Sequence, residues 1–378
     1  MKQKFELTLT SKYAAEWGIQ DALREFMQNC YDQSKKQEGN DWGVHYDKDT
    51  QSLFITNKKS VLKKQSLLLG YTTKQDDDET IGQFGEGYKI ALLVLTRLEK
   101  TVTIYTGEAN KKEEWSSRFV TSKRYNYEKI LTVFVDTDTK QNYDNNLTIK
   151  IDNITEDEYN DFTSRVLHLQ KDVGEFLTCS EGEILLGEKH KGKIYVNGLY
   201  VSKIKDFLFG YDIKPAYLKI GRDRNLVDSF DIQFQTSRMW KQHNNEKLAI
   251  MISAQSPDIK YIWLPGEENV EELKTVSDDV YEEIKKENED KDIYPVTNQE
   301  EYNMAKEAYP SATPVIVNEL QKKVINNSEK FKEKVASYKK EETSPIKEYE
   351  LWKNKYMGER VYQTAFRELD DIIERIMK

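Results

Sequence analysis

Residues 22–32 combine an apolar stripe with a line of polar side chains, and no other pattern in the chain constrains the fold as strongly. The apolar members recur at helical spacing and predict a buried stripe; they are Ala22, Leu23, Phe26, Met27 and Cys30. Glu25, Asn29 and Asp32 follow one another at i, i+4 and i+7, so they share another side of the same helix. This line is either the solvated face of an amphipathic helix or one wall of a functional site.

In a functional site, these side chains suit a complex of a metal ion and a nucleotide. The amide oxygen of Asn29 is a neutral ligand for a hard cation such as Mg²⁺. The Glu25 carboxylate can orient or deprotonate a water molecule that is aimed at a phosphate. The pattern by itself does not choose between this role and a solvated face.

A glycine cluster lies within residues 81–91, directly before an apolar run from Ile90 to Leu98 that is long enough for a helix. Its members are Gly82, Gly85 and Gly87. Glycines let backbone N–H groups approach a ligand closely, and a helix N-terminus adds the positive end of its dipole. The combination suits phosphate groups, with Lys89 on the first turn of the helix. A glycine cluster also serves as a packing device where a strand turns into a helix.

The two segments together resemble the N box and the second glycine box of the GHKL superfamily, the Bergerat-fold ATPases. The pattern is similar to the ninety-kilodalton heat-shock chaperone and MutL branches, over roughly the first 150 residues. The resemblance implies that Glu25 activates water, Asn29 binds Mg²⁺ and Asp32 supports the site. It also implies a phosphate loop, which comprises Gly82, Gln83, Phe84, Gly85, Glu86, Gly87 and, just behind it, Lys89.

One motif of the family is incomplete. The family has a strand that ends in Asp-x-Gly-x-Gly, whose Asp accepts a hydrogen bond from adenine, whereas the strand here ends in Asn57 with no glycines after it. Asn keeps an acceptor oxygen but loses the charge and adds a donor, so we expect weaker affinity and less preference for adenine. The resemblance also assigns nucleotide contacts to Thr72, Thr73 and Thr148. It makes the acidic run 75–79 a short lid, which a solvated loop explains equally well.

A second β-rich region begins near residue 174. Residues 192–202 form two β runs around an Asn197-Gly198 turn, similar to the first hairpin of the transducer domain in MutL-like ATPases. Farther on, the resemblance makes Arg222 or Arg224 a sensor of the γ-phosphate, since an Arg fork suits a transferring phosphoryl group. Ion pairs with the neighbouring aspartates at a surface turn are the alternative.

The order of helix and strand signals in residues 1–173 predicts a two-layer α/β sandwich, with a mixed, largely antiparallel sheet covered on one face by helices. The resemblance makes this the Bergerat fold of an ATP-binding domain. A helix over 156–169 is expected to end the domain. Residues 174–258 are predicted to form a transducer-like α/β domain. Residues 259–378 are predicted to form a charged, α/β and helical region, beginning with a strand at 261–264 and suited to interaction or oligomerisation.

Composition limits the function further. The 378 residues include 11% aromatic residues, which favours packed cores over disorder. The net charge of −9 disfavours nucleic-acid binding by the whole surface. Two cysteines give no disulfide framework, and no apolar stretch reaches membrane-spanning length, so we expect a cytoplasmic protein. The Lys-, Asn- and Tyr-rich usage indicates an AT-rich genome, such as that of a phage.

The resemblance implies an Mg-ATP-dependent ATPase that acts as a conformational switch on a protein client, as a nucleotide-dependent homodimer. Two alternatives stay open. One is an ATP-binding scaffold or regulator with little hydrolysis, because the adenine motif is incomplete. The other is a DNA-transaction ATPase of the MutL or gyrase kind, which the acidic composition does not favour.

Overall fold

The computed structural model describes residues 2–36, 41–68, 86–108, 111–137, 139, 146–218, 229–243, 246–262, 270–338, 349, 352 and 363–377. Two compact units divide the chain: residues 1–243 with 256–262, and residues 244–255 with 263–378. The predicted boundaries at 173/174 and 258/259 remain predictions. None of the helices in the described residues combines the length and apolarity that crossing a bilayer requires.

The larger sheet of the first unit contains, among the described residues, seven strands. They are β1 (Lys2–Thr10), β2 (Trp42–Asp47), β3 (Ser52–Asn57), β4 (Thr101–Glu108), β5 (Lys111–Ser122), β6 (Glu128–Asp136) and β7 (Leu147–Asp152). Their spatial order is β1-β6-β5-β4-β7-β3-β2, and each adjacent pair runs antiparallel. The α/β prediction is confirmed, but the sheet is antiparallel throughout its described strands and not mixed. Antiparallel neighbours need only short connections, as between β4, β5 and β6.

Helices cover one face of this sheet. They are α1 (Ile19–Lys36), α2 (Gly87–Arg97) and α3 (Glu156–Ser164). The predicted apolar stripe of α1 is confirmed, because its five members are at most 3% exposed. The stripe packs with α2 and with alternate residues of the central strands, among them Ile55 and Ile149. Burial of each large apolar side chain contributes about 1.5–3 kcal/mol, so this layer is the main source of stability in the domain.

Helix α3 is shorter than the predicted 156–169. Its N-terminus has a capping box between Thr155 and Glu158, and the helix ends at Ser164. Val166 then forms a β-bridge with Leu199, and residues 167–169 form a 3₁₀ turn. The expected helix was wrong beyond residue 164 because pairing with a distant strand overrides the local helical pattern.

A second sheet follows in the same unit. Its strands are β8 (Phe176–Thr178), β9 (Gly182–Leu185), β10 (Lys193–Val196), β11 (Leu199–Lys203) and β12 (Gly210–Ile213), in the order β11-β10-β12-β9-β8. The predicted hairpin is confirmed as β10 and β11. Asn197 and Gly198 both have positive φ, 54° and 78°, as a two-residue turn of this kind requires.

Helix α4 (Ser229–Lys241) and the 3₁₀ turn Pro257–Ile259 complete the described part of the first unit. The predicted strand at 261–264 is wrong for its described residues. The backbone N–H of Tyr261 donates to Ser237 Oγ at 3.0 Å, and that of Ile262 donates to Ile259 O at 3.0 Å. These are local turn bonds and a side-chain bond, which leave no strand ladder there.

Asp258 joins the second sheet to this turn. Its carboxylate is fully buried and accepts hydrogen bonds from Leu208 N at 2.8 Å, Phe209 N at 3.3 Å, Ser256 Oγ at 2.6 Å and Tyr211 Oη at 2.5 Å. Burial raises the pKa of Asp258, while these donors act in the opposite direction. A buried carboxylate with four donors stabilises the packing only while all four are in place.

The second unit is a small α/β module. Its elements are α5 (Glu246–Ser253), α6 (Val270–Glu287), β13 (Ile293–Val296), α7 (Gln299–Ala308), β14 (Thr313–Ile316), α8 (Glu319–Asn327), α9 (Glu329–Tyr338) and α10 (Gln363–Met377). Strands β13 and β14 pair in parallel, with α7 as the crossover. The prediction of an α/β and helical region is therefore confirmed as secondary structure for the described residues of this unit.

Replacing Asp258 with Ala should lower the free energy of unfolding by about 3–5 kcal/mol, because it leaves several buried donors without an acceptor. Urea denaturation measures the change. The matched control is Asp172→Ala, which removes an exposed carboxylate that accepts one hydrogen bond from Gly174 N. Equal losses in the two variants would show that the Asp258 network does not hold the second sheet.

Candidate functional site

The polar line of α1 is buried. Glu25 is 1% exposed and Asp32 is 0% exposed, while Asn29 is half-buried. Gln28, which lies one turn after Glu25, is also buried at 1% exposure. Burial of carboxylates and amides costs free energy unless they are paired, so soluble proteins keep such lines chiefly where they are used. The alternative of a solvated face is therefore excluded.

Two asparagines lie together at this wall. The Asn29 amide nitrogen donates to Glu25 O at 2.8 Å, which fixes the orientation of the amide. Asn57, 3% exposed at the end of β3, donates its amide nitrogen to Cys30 O at 2.8 Å. This bond holds the end of β3 against the turn of α1 that carries Asn29. In both amides the oxygen remains the atom suited to a cation or an amino group.

The first turn of α2 lies beside the middle of α1, because the Phe26 and Tyr88 rings approach to 5.7 Å between centroids. Glu86 is the N-cap residue and Gly87 begins the helix. Lys89, on this turn, is 0% exposed, and burial lowers its pKa. The charge of the Glu86 carboxylate acts in the opposite direction on this pKa. The polar wall of α1 therefore lies beside a helix N-terminus, where the dipole of α2 has its positive end.

Thr148 does not join this group. In the β3–β7 ladder it pairs with Thr56, and the two hydroxyls are 3.1 Å apart. Asn57 instead pairs with Leu147, which packs on the core under the helices. Because side chains alternate along a strand, Thr148 lies on the sheet face opposite Asn57. The structure brings together Glu25, Asn29, Asp32 and Asn57 but not Thr148.

Several predicted site residues lie outside the described residues. They are Thr72, Thr73, Gly82, Gln83, Phe84, Gly85, Arg222 and Arg224, together with the acidic run 75–79. In the part of the chain that the structure describes, no three His, Cys, Asp or Glu side chains form a metal site. A Mg²⁺ ion that takes one protein amide oxygen, with phosphate and water as its other ligands, needs no such cluster.

The hairpin of the second sheet contacts the C-terminal half of α1. Tyr31 stacks on His168 at 4.4 Å between ring centroids, and Lys35 Nζ donates to Asn197 Oδ1 at 2.7 Å. A β-carbon on Gly198 would lie 2.3 Å from His168 Nε2, so only glycine fits this contact. No pattern in the sequence predicts this joint, because its residues are ordinary by type and meet only in the fold.

Asp212 supports the same turn by accepting a hydrogen bond from Gly198 N at 2.8 Å. Burial, followed by the Glu183 charge, raises the pKa of Asp212 to about 6, while the Gly198 hydrogen bond and Lys35 act to lower it. A carboxyl group that titrates near pH 6 therefore underlies the contact between the second sheet and α1.

Comparison with known proteins gives two similarities. Residues 157–220 match the family model described as the Mycoplasma pneumoniae MPN635 N-terminal domain. The chain is also 25% identical over 214 residues to an uncharacterized protein of Mycoplasma pneumoniae, which covers 56% of this chain and 84% of that protein. The family match contains the β10–β11 hairpin and the residues that place it on α1.

Replacing Asp212 with Asn should remove a pH dependence of stability. The folded-state pKa of about 6 lies above the ordinary Asp value of 3.8, so the native state binds this proton more tightly than the unfolded chain does. The contribution is present below about pH 4 and is lost as the pH rises through about 6. Because the side chain keeps some exposure, we expect a change of about 1–3 kcal/mol in the wild-type minus variant free energy of unfolding.

Urea denaturation between pH 4 and 7.5 measures that difference. Asp206→Asn makes the same charge change on an exposed side chain of the same unit and should show a flat difference. If the wild-type minus variant free energy of unfolding is independent of pH for Asp212→Asn as well, Asp212 does not cause the pH dependence of stability.

Proposed function

We propose that the chain is an Mg-ATP-dependent ATPase of the GHKL type that acts as a nucleotide-driven conformational switch. One observation carries the proposal: the line Glu25, Asn29 and Asp32 lies in the protein interior or half-buried, beside the first turn of α2. The antiparallel sheet with helices on one face supports it, because a Bergerat-type sandwich needs that layering. The motif resemblance supplies the reaction class.

Binding follows from the chemistry of each side chain. The Asn29 oxygen would hold Mg²⁺, which, when bound, neutralises charge on the nucleotide phosphates. Lys89 and the N-terminus of α2 would face the phosphates. Asn57 would accept from the adenine amino group through its oxygen, because its nitrogen already donates to Cys30 O. The glycine loop, residues 82–87, would close over the nucleotide.

Hydrolysis would then depend on Glu25. Its carboxylate would align a water molecule for attack on the γ-phosphate and take its proton, and ADP and phosphate would leave. Asp32, one turn beyond Asn29, would support the amide and its cation. The chemistry is mainly positioning and electrostatics, so small movements of α1 would change the rate.

The same helix would transmit the nucleotide state. Helix α1 carries the proposed catalytic line and also receives the hairpin of the second sheet through Tyr31 and Lys35. In this proposal residues 174–258 act as a transducer, and Arg222 or Arg224 senses the γ-phosphate. A nucleotide-dependent homodimer and a protein client complete the cycle.

An ATP-binding regulator with little hydrolysis is the second candidate. The Asn57 geometry favours it, because a neutral amide that is already committed to Cys30 replaces the family's carboxylate. Measured turnover separates the two candidates, since both predict nucleotide binding.

Glu25→Gln should leave binding of a non-hydrolysable ATP analogue nearly unchanged and lower phosphate release by about 10²-fold or more, the usual size of a general-base contribution. The isosteric amide avoids a cavity at this buried position. Glu16→Gln, which neutralises an exposed carboxylate before α1, is the control. Equal turnover in the Glu25 variant and the wild type would remove Glu25 from the mechanism.

Asn29→Ala should weaken Mg-ATP binding by about tenfold or more, the effect expected when a charge-assisted contact is lost. Calorimetry with and without Mg²⁺ measures it, and the loss should appear only when the metal is present. An unchanged affinity would assign the metal to another residue.

Asn57→Asp should have two opposed effects. A carboxylate restores the family's adenine acceptor, so ATP should bind more tightly and GTP should be rejected more sharply. It cannot donate to Cys30 O, so the free energy of unfolding without nucleotide should fall by about 1–3 kcal/mol. A variant that loses stability but keeps its base preference would place the adenine contact elsewhere.

A further inference from the structure

A small cavity of about 150 Å³ lies away from the proposed nucleotide site, where the N-terminal half of α1 meets the second sheet. Gln20, Asp21 and Arg24 of α1 line one wall, and Arg165 and Tyr200 line the other. Pockets for drug-sized ligands measure about 300–1,000 Å³, so this cavity suits an ion of a few heavy atoms and excludes a nucleotide.

Arg24 brings buried N–H groups without hydrogen-bond acceptors to the cavity. Its Nε and Nη2 atoms are shielded from solvent, and no acceptor among the described residues reaches either atom. Burial lowers the pKa of Arg24 to about 10, with the Asp21 charge acting in the opposite direction. Leaving guanidinium donors buried without acceptors is unfavourable unless an anion occupies the space beside them.

Arg165 brings a second cation to the cavity wall. Its Nε donates to Asp161 at 2.9 Å, and its guanidinium lies over the Tyr200 ring at 5.2 Å from the centroid. These contacts hold the side chain in place while its other N–H groups keep their donor capacity. Two arginines on facing walls match the bidentate recognition of an oxyanion.

Gln20 narrows the choice of anion. Its nitrogen donates to Glu158 O at 3.0 Å, which fixes the amide orientation. Its Oε1 is buried and, within the described part of the chain, has no donor. Gln20 Oε1 and the Asp21 carboxylate are hydrogen-bond acceptors. An anion beside them must therefore carry a proton that it can donate. Phosphate carries one or two protons near neutral pH, whereas sulfate carries none.

We propose that this cavity binds inorganic phosphate. The phosphate oxygens would accept hydrogen bonds from Arg24 and Arg165, and the P–OH group would donate one to Gln20 Oε1. The site does not depend on the proposed ATPase function. Because α1 forms one wall and residues 165–201 form the other, bound phosphate ties the second sheet to α1.

The full chain, without Mg²⁺ or nucleotide, is titrated with inorganic phosphate, sulfate or chloride at constant ionic strength. Isothermal calorimetry and the thermal midpoint report binding. We expect phosphate to raise the midpoint, and sulfate to raise it less. Arg24→Gln should weaken phosphate binding by about tenfold or more. The control Arg118→Gln removes the same charge from an exposed arginine and should bind like the wild type.

Further variants keep the test decisive. In phosphate-free buffer the Arg24→Gln midpoint should equal or exceed the wild type, because a buried cation with unpaired donors is removed. If Arg24→Gln does not fold, Arg165→Gln should weaken phosphate binding several-fold. Gln20→Met should reduce the preference for phosphate over sulfate.

Three results would overturn the proposal: equal effects of phosphate, sulfate and chloride, full phosphate binding by Arg24→Gln and Arg165→Gln, or loss of phosphate binding in Asn29→Ala alone. The last result would assign the phosphate to the proposed nucleotide site. A protein that binds phosphate as proposed but no ATP would overturn the ATPase proposal and leave this one intact.

Discussion

The burial of α1 is the interaction on which the described part of the first unit depends. One side of the helix packs its apolar stripe on the larger sheet, and its middle contacts the first turn of α2. Its last turns contact the hairpin of the second sheet. Large apolar side chains contribute about 1.5–3 kcal/mol each on burial. This stabilisation offsets the free-energy cost of burying the Glu25 and Asp32 carboxyl groups on the same helix.

Buried polar groups of the first unit join elements that are distant in sequence. The Asp258 carboxylate, the Asn57 amide and the Asp212 carboxylate each accept or donate across two elements that are distant in sequence. Backbone groups at the ends of strands and turns would otherwise be buried without partners. Each network is local in space, so removing one should loosen one junction and leave the sheet order intact.

The sequence predicted the features that depend on local patterns. The spacing of the α1 stripe and the Asn197-Gly198 turn were sufficient for a correct helix and hairpin. Features that depend on partners were missed. Thr148 lies on the sheet face opposite Asn57 because it pairs with Thr56, and successive side chains of a strand point to opposite faces. The end of α3 is set by the Val166 bridge, which no local signal reveals.

The buried state of the polar line could not be predicted for the same reason. Glu25, Asn29 and Asp32 have the spacing of a solvated face, and it is the elements packed against α1, among them α2 and β3, that shield this line from water. Arg24 looks like an ordinary helix residue until the second sheet closes over it. The motif resemblance predicts a chemistry for this line, and its burial is a separate observation.

The contact at Gly198 has a mechanical consequence. With no room for a β-carbon beside His168, the second sheet touches this ring through backbone atoms, and Asp212 holds those atoms from behind. Helix α1 therefore reaches this backbone through two stacked rings, those of Tyr31 and His168. A side chain added at Gly198 would have to displace the His168 ring and so disturb the stack that joins the hairpin to α1.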